Sequence, residues 1–278
     1  MTREVPSSAT MLAEATPGGA KGFLFDLDGV LEYRGRMFPG AVETLQALRA
    51  GGFVVRFLTN STLRSRRSCA EYLQRRGFAA EPGEVITASY ATARYLRALH
   101  PRSCWVLLDP ECDGIEEFKD CVQDEKSPEY LVVGNYRDHF DFASLNRALR
   151  VLRNGAKFIA MHREELVDTS MDEIELTVGS WVQMLERASG VSAVCIGKPS
   201  PYVFELALDG TGLRPGEVVM VGDRLSTDVA GARNAGLRAA LVRTGEFDER
   251  DLAAELQPDW VLDSVADVLR LAGGCPLV

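Results

Sequence analysis

Asp26 and Asp28 stand one residue apart in FLFDLDGVLEYRG, residues 23–35, where an apolar run gives out into a glycine. Like charges at that spacing repel and raise one another's pKa. The pair therefore implies a nearby cation, or a task that needs both carboxyls. Three further stretches end an apolar run in reactive side chains. In FLTNST, residues 57–62, Thr59 and the N–H groups that follow it suit a phosphoryl oxygen. Thr59 would equally cap a helix beginning near Arg64, and taken alone that is the plainer role. In IGKPSP, residues 196–201, Lys198 precedes a helix entry marked by Ser200 and Pro201. Of the 31 basic residues 26 are arginine and five lysine, so a lysine in that loop hints at a need for a compact ammonium. In VGDRLSTD, residues 221–228, Asp223 comes straight off a buried run, and Asp228 lies near a helix start, where an aspartate also has an ordinary electrostatic role. Together these four carboxylates, one lysine and hydroxyl donors describe a Mg²⁺-dependent phosphoryl-transfer site. The cation answering the paired acids is then Mg²⁺, with the acids there for nucleophilic attack and proton transfer.

Such groups meet only if the strands that carry them lie side by side. Apolar runs at 22–27, 53–58, 104–108, 130–133, 157–160, 193–196, 217–221, 238–242 and 260–262 predict strands. Helical patterns fall between them, at 40–50, 64–76, 89–99, 142–153, 180–189, 201–208, 227–235 and 263–272. Gly51, Gly77, Gly155, Gly190 and Gly236 follow helices where left-handed caps are expected. The alternation predicts an α/β protein with a parallel sheet and right-handed crossovers. Ligands of such sheets bind beyond the carboxyl ends of the strands, where Asp26 lies. The four reactive strand ends are expected to be gathered by a single sheet. The alternation runs past the size of one simple sheet, which predicts two α/β layers, one inserted in the other.

The bulk numbers narrow the function. The chain has 278 residues, 46% hydrophobic and 26% charged, as in an ordinary globular protein of one large or two modest domains. A formal charge of −9 argues against nucleic acid or an anionic membrane as the main partner. Six cysteines without a C-x-x-C pair read as reduced thiols of a cytoplasmic protein. Only three histidines occur, His100, His139 and His162, so a metal site would be built from carboxylates, which favours magnesium. No apolar run approaches membrane-span length. Residues 1–20 lack the apolar middle of a signal peptide and read as a disordered lead-in.

DLDGV, TN, GKP and GDRLSTD resemble the four signature motifs of the haloacid dehalogenase superfamily of phosphohydrolases. The likeness extends over about residues 21–272 and is nearest the subgroups of phospholysine phosphohistidine inorganic pyrophosphate phosphatase and of nucleotide and 4-nitrophenyl phosphatases. The resemblance implies a Rossmann-like, doubly wound core over 21–87 and 191–278, with a substrate-selecting α/β cap inserted over 88–190. It implies that Asp26 is the nucleophile, forming an aspartyl-phosphate. Asp28 would protonate the leaving oxygen and then activate water. Thr59 with the Asn60 backbone would hold a phosphoryl oxygen, and Lys198 would neutralise nucleophile and phosphate. Asp26, the carbonyl of Asp28 and Asp223 would bind Mg²⁺, with Asp228 in support. His162 and Arg163 correspond to a cap loop facing the active site, for which a solvated loop is an equal reading. Tyr33 and Arg34 would touch substrate as a flap, and the Arg64–Arg67 cluster reads as a solvated helix face.

Two departures from the pattern stand out. Ser226 sits where relatives often carry another aspartate. The acidic segment 162–181 lacks the PGxG turn of relatives, which bears on substrate more than on reaction type. The function expected is hydrolysis of a small phosphorylated metabolite; relatives often dimerise through the cap, so the resemblance leaves a homodimer open. A phosphotransferase or mutase with a non-water acceptor, and a silent binding module, are the alternatives. A dehalogenase would not require the second acid of the first motif.

Overall fold

The computed structural model describes residues 19–168 and 174–272. The expected lead-in lies outside the described residues apart from Gly19 and Ala20, as does the centre of the acidic segment 162–181. In chain order the strands are β1 (Gly22–Phe25), β2 (Glu32–Tyr33), β3 (Arg36–Met37), β4 (Val54–Thr59), β5 (Val85–Thr87), β6 (Cys104–Leu107), β7 (Tyr130–Val133), β8 (Lys157–Ala160), β9 (Leu166–Asp168), β10 (Ile174–Leu176), β11 (Val194–Cys195), β12 (Val218–Gly222), β13 (Arg238–Val242) and β14 (Trp260–Leu262). The α-helices are α1 (Ala41–Ala50), α2 (Arg66–Arg75), α3 (Ala88–Ala98), α4 (Phe142–Arg153), α5 (Val178–Ser189), α6 (Pro201–Leu208) and α7 (Ala230–Asn234). Val265–Ala272, expected as an α-helix, is wound as a tighter 3₁₀ helix. Among the described residues no helix is long and apolar enough to cross a membrane.

Two parallel sheets organise the chain. The larger has six strands in the order β14-β13-β12-β1-β4-β5, the smaller four in the order β11-β8-β7-β6. Their strands are apolar on both faces because both faces are covered. In β1, Phe23 and Phe25 face a cluster with α1 and α2, while Leu24 faces the opposite one. In the smaller sheet, Trp105 and Leu107 pack with α4 and α5, while Cys104 and Val106 face the other way. The inner faces of both sheets, with α3, α6 and α7 between, belong to one apolar cluster that includes Leu24, Leu58, Val106, Val132, Phe204 and Met220.

The structure corrects the expectation in several places. β11 pairs with β8, so the second sheet extends to Cys195, past the residue 190 at which the sequence places the return to the core. One sheet does not gather all four reactive strands, because the strand leading to Lys198 belongs to the smaller one. Gly51 has a φ of −75°, and the left-handed turn after α1 is made by Gly52 at 78°. The β2–β3 and β9–β10 hairpins and β5 fall outside the apolar runs read as strands from the sequence.

Candidate active site

Three of the reactive residues lie at the carboxyl edge of the larger sheet because β12, β1 and β4 are neighbours. Phe25 is level with Val221 on one side and Phe57 on the other, so the next residues of each strand emerge together. Asp26 follows β1, Thr59 ends β4 and Asp223 follows β12. Lys198 arrives differently. Beyond β11, Ile196 N–H donates to the Ala160 carbonyl at 3.0 Å and Gly197 N–H to that of Met161 at 2.8 Å, which carries the chain alongside β8 to its end. The Asn60 side chain then takes hold of it: its Oδ1 accepts from Lys198 N–H at 2.8 Å, and its Nδ2 donates to the Lys198 carbonyl at 3.2 Å. Gly197 must lack a side chain here, since a Cβ would lie 2.5 Å from the Met161 carbonyl and 2.6 Å from Asn60 Oδ1.

So placed, Lys198 is only 2% exposed and bonds two carboxylates, Asp26 Oδ1 at 2.8 Å and Asp228 Oδ1 at 2.7 Å. Burial acts to lower its pKa, but Asp228 and Asp26 outweigh burial and raise it. Asp26 Oδ1 also accepts from the Leu27 N–H at 2.8 Å. Burial raises the Asp26 carboxyl well above its ordinary value, with Asp228 and Asp223 adding to the rise and Lys198 opposing it. Burial and then Asp228 push Asp223 up to about 7, although its Oδ2 accepts from Glu246 N–H at 2.8 Å. Asp228, expected in support of the metal ligands, has its carboxylate inside the cluster. Its Oδ1 takes Lys198 and its Oδ2 takes the Arg224 N–H at 3.2 Å.

Oxygen atoms of Asp26, Asp223 and Asp228 lie within 4.8 Å of one another. One ammonium cannot balance three buried carboxylates, and an all-oxygen donor set suits a hard divalent cation. Two glycines keep the space open. A Cβ on Gly29, whose φ is 82°, would stand 1.9 Å from Asp223 Oδ2, and one on Gly245 would stand 2.3 Å from the same atom. The residues present therefore fit a metal. Ser226 is exposed, so its departure from the family pattern leaves this cluster untouched.

Thr59 is not a helix cap: α2 starts at Arg66 and is capped by Ser65, which accepts from Ser68 N–H at 3.1 Å. The Thr59 hydroxyl instead accepts from Ser61 N–H at 3.1 Å, which leaves its own proton to donate. A cleft of about 390 Å³ opens over these groups, the size of a small-molecule site. Asp28 faces it, exposed to the opening yet with enough water displaced that its carboxyl is raised. That desolvation is reinforced by Glu32 and opposed by Arg64 and Lys198. Tyr33 and Arg34, on the β2–β3 hairpin, line the cleft with the guanidinium 5.1 Å from the ring centroid.

The second sheet supplies the facing wall. His162 lines the cleft, buried, its pKa lowered by desolvation. Its Nδ1 accepts from Glu164 N–H at 3.2 Å. Arg163 does not reach the cleft. It grips Glu186 at 3.0 and 2.6 Å and the Ala193 carbonyl at 3.0 Å, tying α5 to the return strand. Arg64, expected on a solvated face, lines the cleft and stacks on Tyr72. Sequence reading also missed Glu164, Arg224 and Glu246. Arg224 pairs with Glu164 at 3.3 Å and with Glu246, and Glu164 accepts from Asn60 Nδ2 at 3.0 Å. Burial would raise the Glu164 carboxyl, but His162 and Arg224 hold it low. Proximity to motif residues was the available signal: Arg224 adjoins Asp223, and Glu164 follows His162 by two.

Comparison with known proteins gives a consistent picture. Residues 23–121 match the profile of the haloacid dehalogenase-like hydrolases, and residues 195–268 match a HAD-hydrolase-like profile. The chain is 35% identical over 240 residues to haloacid dehalogenase-like hydrolase domain-containing protein 2 of Bos taurus, covering 85% of this chain and 89% of that one. It is 34% identical over 261 residues to phospholysine phosphohistidine inorganic pyrophosphate phosphatase of Danio rerio, covering 91% and 92%. Among solved structures, 4-nitrophenylphosphatase of Thermotoga maritima superposes with a TM-score of 0.84 at 27% identity, over 92% of this chain and 98% of that one.

Proposed function

The chain belongs to the haloacid dehalogenase-like hydrolases and is a phosphatase, and from that premise we propose that it hydrolyses a small phosphorylated metabolite, with Mg²⁺, through an aspartyl-phosphate on Asp26. The observation that carries the reading is the Lys198 ammonium bonded at once to Asp26 and Asp228, with Asp223 beside them. Relatives named for pyrophosphate and nitrophenyl phosphate hydrolysis support the substrate size, as does the volume of the cleft. The reduced thiols of the described cysteines accord with a cytoplasmic enzyme.

Asp26 Oδ1 is tethered by Lys198 and Leu27 N–H, which orients the carboxylate so that Oδ2 attacks phosphorus. The bond from phosphorus to the leaving oxygen breaks as Asp28, whose raised pKa keeps a proton nearer neutrality, donates that proton to it. The Thr59 hydroxyl and the Asn60 N–H donate to phosphoryl oxygens, and Lys198 balances the charge on nucleophile and phosphate. Asp28, now ionised, takes a proton from water as that water attacks phosphorus, and the bond to Asp26 breaks to release phosphate. Asp26, Asp223 and the Asp28 carbonyl would hold Mg²⁺, with Asp228 buttressing them, and the ion supplies neutralisation of phosphoryl charge when bound. The inserted segment, which the β11–β8 pairing extends from 88 to about 195, acts as the cap that shapes the leaving-group side.

The test is Asp26→Asn assayed on phenyl phosphate with Mg²⁺. Turnover should fall by at least about a thousandfold with the melting temperature kept. Rapid acid quench of the wild type should leave a phosphoryl adduct on the peptide carrying Asp26. Wild-type turnover in the variant would refute Asp26 as nucleophile.

A further inference from the structure

The arginines around the cleft are not equivalent. Arg224, in the lining, is matched by Glu164 and Glu246, and Arg76, outside the lining, by Glu32. Arg64 lines the same cleft, and among the described residues no carboxylate lies within ion-pair distance of it. It is nonetheless held firmly. Its Cζ stands 3.7 Å from the Tyr72 ring centroid and that of Arg76 stands 3.9 Å from the same point, so the two guanidiniums must occupy opposite faces of the ring. The ring is anchored at its rim, where Tyr72 Oη donates to Glu32 and the other Glu32 oxygen accepts from Arg76 Nε. Stacking engages the face of a guanidinium and leaves its in-plane N–H donors for an acceptor.

Arg64 and Asp28, the group that faces the leaving oxygen in the mechanism proposed above, line the same cleft. The transferred phosphoryl group already has Lys198, Thr59 and the cation site. The same lining carries Glu32, Glu164 and Glu246, and Arg224 is neutralised by two of them. A preorganised guanidinium with no carboxylate in ion-pair contact, in the cleft that Asp28 also lines, is complementary to an anion that the substrate must bring.

We propose, resting on the phosphatase reading above, that Arg64 determines specificity by receiving a second anionic group, phosphate or carboxylate, carried on the leaving part of the substrate. The contact is a bidentate one across the guanidinium edge. Substrates of this class are diphosphates and phosphorylated acids rather than esters of neutral alcohols.

The experiment uses the full chain with Mg²⁺ and two pairs of probes: inorganic diphosphate beside phenyl phosphate, and 3-carboxypropyl phosphate beside butyl phosphate. The wild type should prefer the anionic probe in at least one pair, and the pair in which it does so tells phosphate from carboxylate. In Arg64→Gln that preference, as a ratio of kcat/KM values, should fall at least about tenfold, mainly through KM, with partial recovery in Arg64→Lys. Because each ratio comes from one preparation, the fraction of folded protein cancels. The proposal is overturned if the wild type cleaves the neutral esters with no preference for either anionic partner, or if Arg64→Gln keeps the preference. It is overturned equally if the variant lowers kcat alike for all four probes and displaces the pH profile of butyl phosphate hydrolysis, since Arg64 would then act only through Asp28. A wild type inert toward all four probes overturns the phosphatase reading itself, an outcome distinct from the others.

Discussion

Asp223 holds its proton to about pH 7 because burial and the Asp228 carboxylate disfavour its charge. A carboxyl whose folded pKa lies above its ordinary 3.8 stabilises the metal-free fold fully below that value and loses the contribution as pH rises through about 7. A divalent cation reverses the balance, because it binds the deprotonated form. Saturating Mg²⁺ should therefore raise the melting temperature by about 5 °C at pH 8 and by roughly nothing at pH 5.5. Equal shifts at both pH values would show that Asp223 takes no part in holding the ion. The motif residues were legible because each follows an apolar run that a parallel sheet must bury, and a polar residue at such an end needs a reason to be there. Asn60 was legible as a neighbour of Thr59 but not as the clamp on Lys198, which lies 138 positions away. Arg64 was misread because RSRR has the composition of a solvated face. In the folded chain only Arg67 of that run is exposed, while Arg66 bonds the carbonyls of Val85 and Gly83.

At the level of elements, the decisive arrangement is that Asp26 and Lys198 come off different sheets. The loop after β11 has to thread between the ends of β8 and β4, and Gly197 is the point of closest passage. Gly197→Ala would drive a methyl against the Met161 carbonyl and Asn60 Oδ1, and Lys198 would move with the loop. We expect kcat to fall at least about tenfold, with a lowered melting temperature. Gly216→Ala, where a methyl meets nothing within 4 Å, should change neither. Steady-state kinetics beside thermal melts would decide it, and an unimpaired Gly197→Ala enzyme would count against the threading argument. Element types were largely legible because long apolar runs alternate with helical periodicity. The sheet to which β11 belongs was not, since two residues of strand between a helix and a loop fit either edge and only tertiary packing chooses.

Across the molecule, the inner faces of both sheets share one apolar cluster with α3, α6 and α7. Two layers fused through a common core should lose structure together. Trp105 reports on the outer face of the smaller sheet and Trp260 on that of the larger. Variants retaining only one of these tryptophans should give the same urea midpoint by fluorescence, coincident with loss of activity. Separate midpoints would mean that the layers unfold independently. The order of the larger sheet also fixes when the enzyme can first exist. β1, made near the start, lies between β4 and β12, and its partner on the β12 side is synthesised nearly two hundred positions later. At roughly 5–20 residues per second, a ribosome exposes the unpaired edge of that strand for about 10–40 s before Val218 emerges to cover it. Throughout that interval the nascent polypeptide has neither Asp223 nor Asp228, so the carboxylate cluster around Lys198 does not yet exist, and its dependence on chaperones should be greatest then.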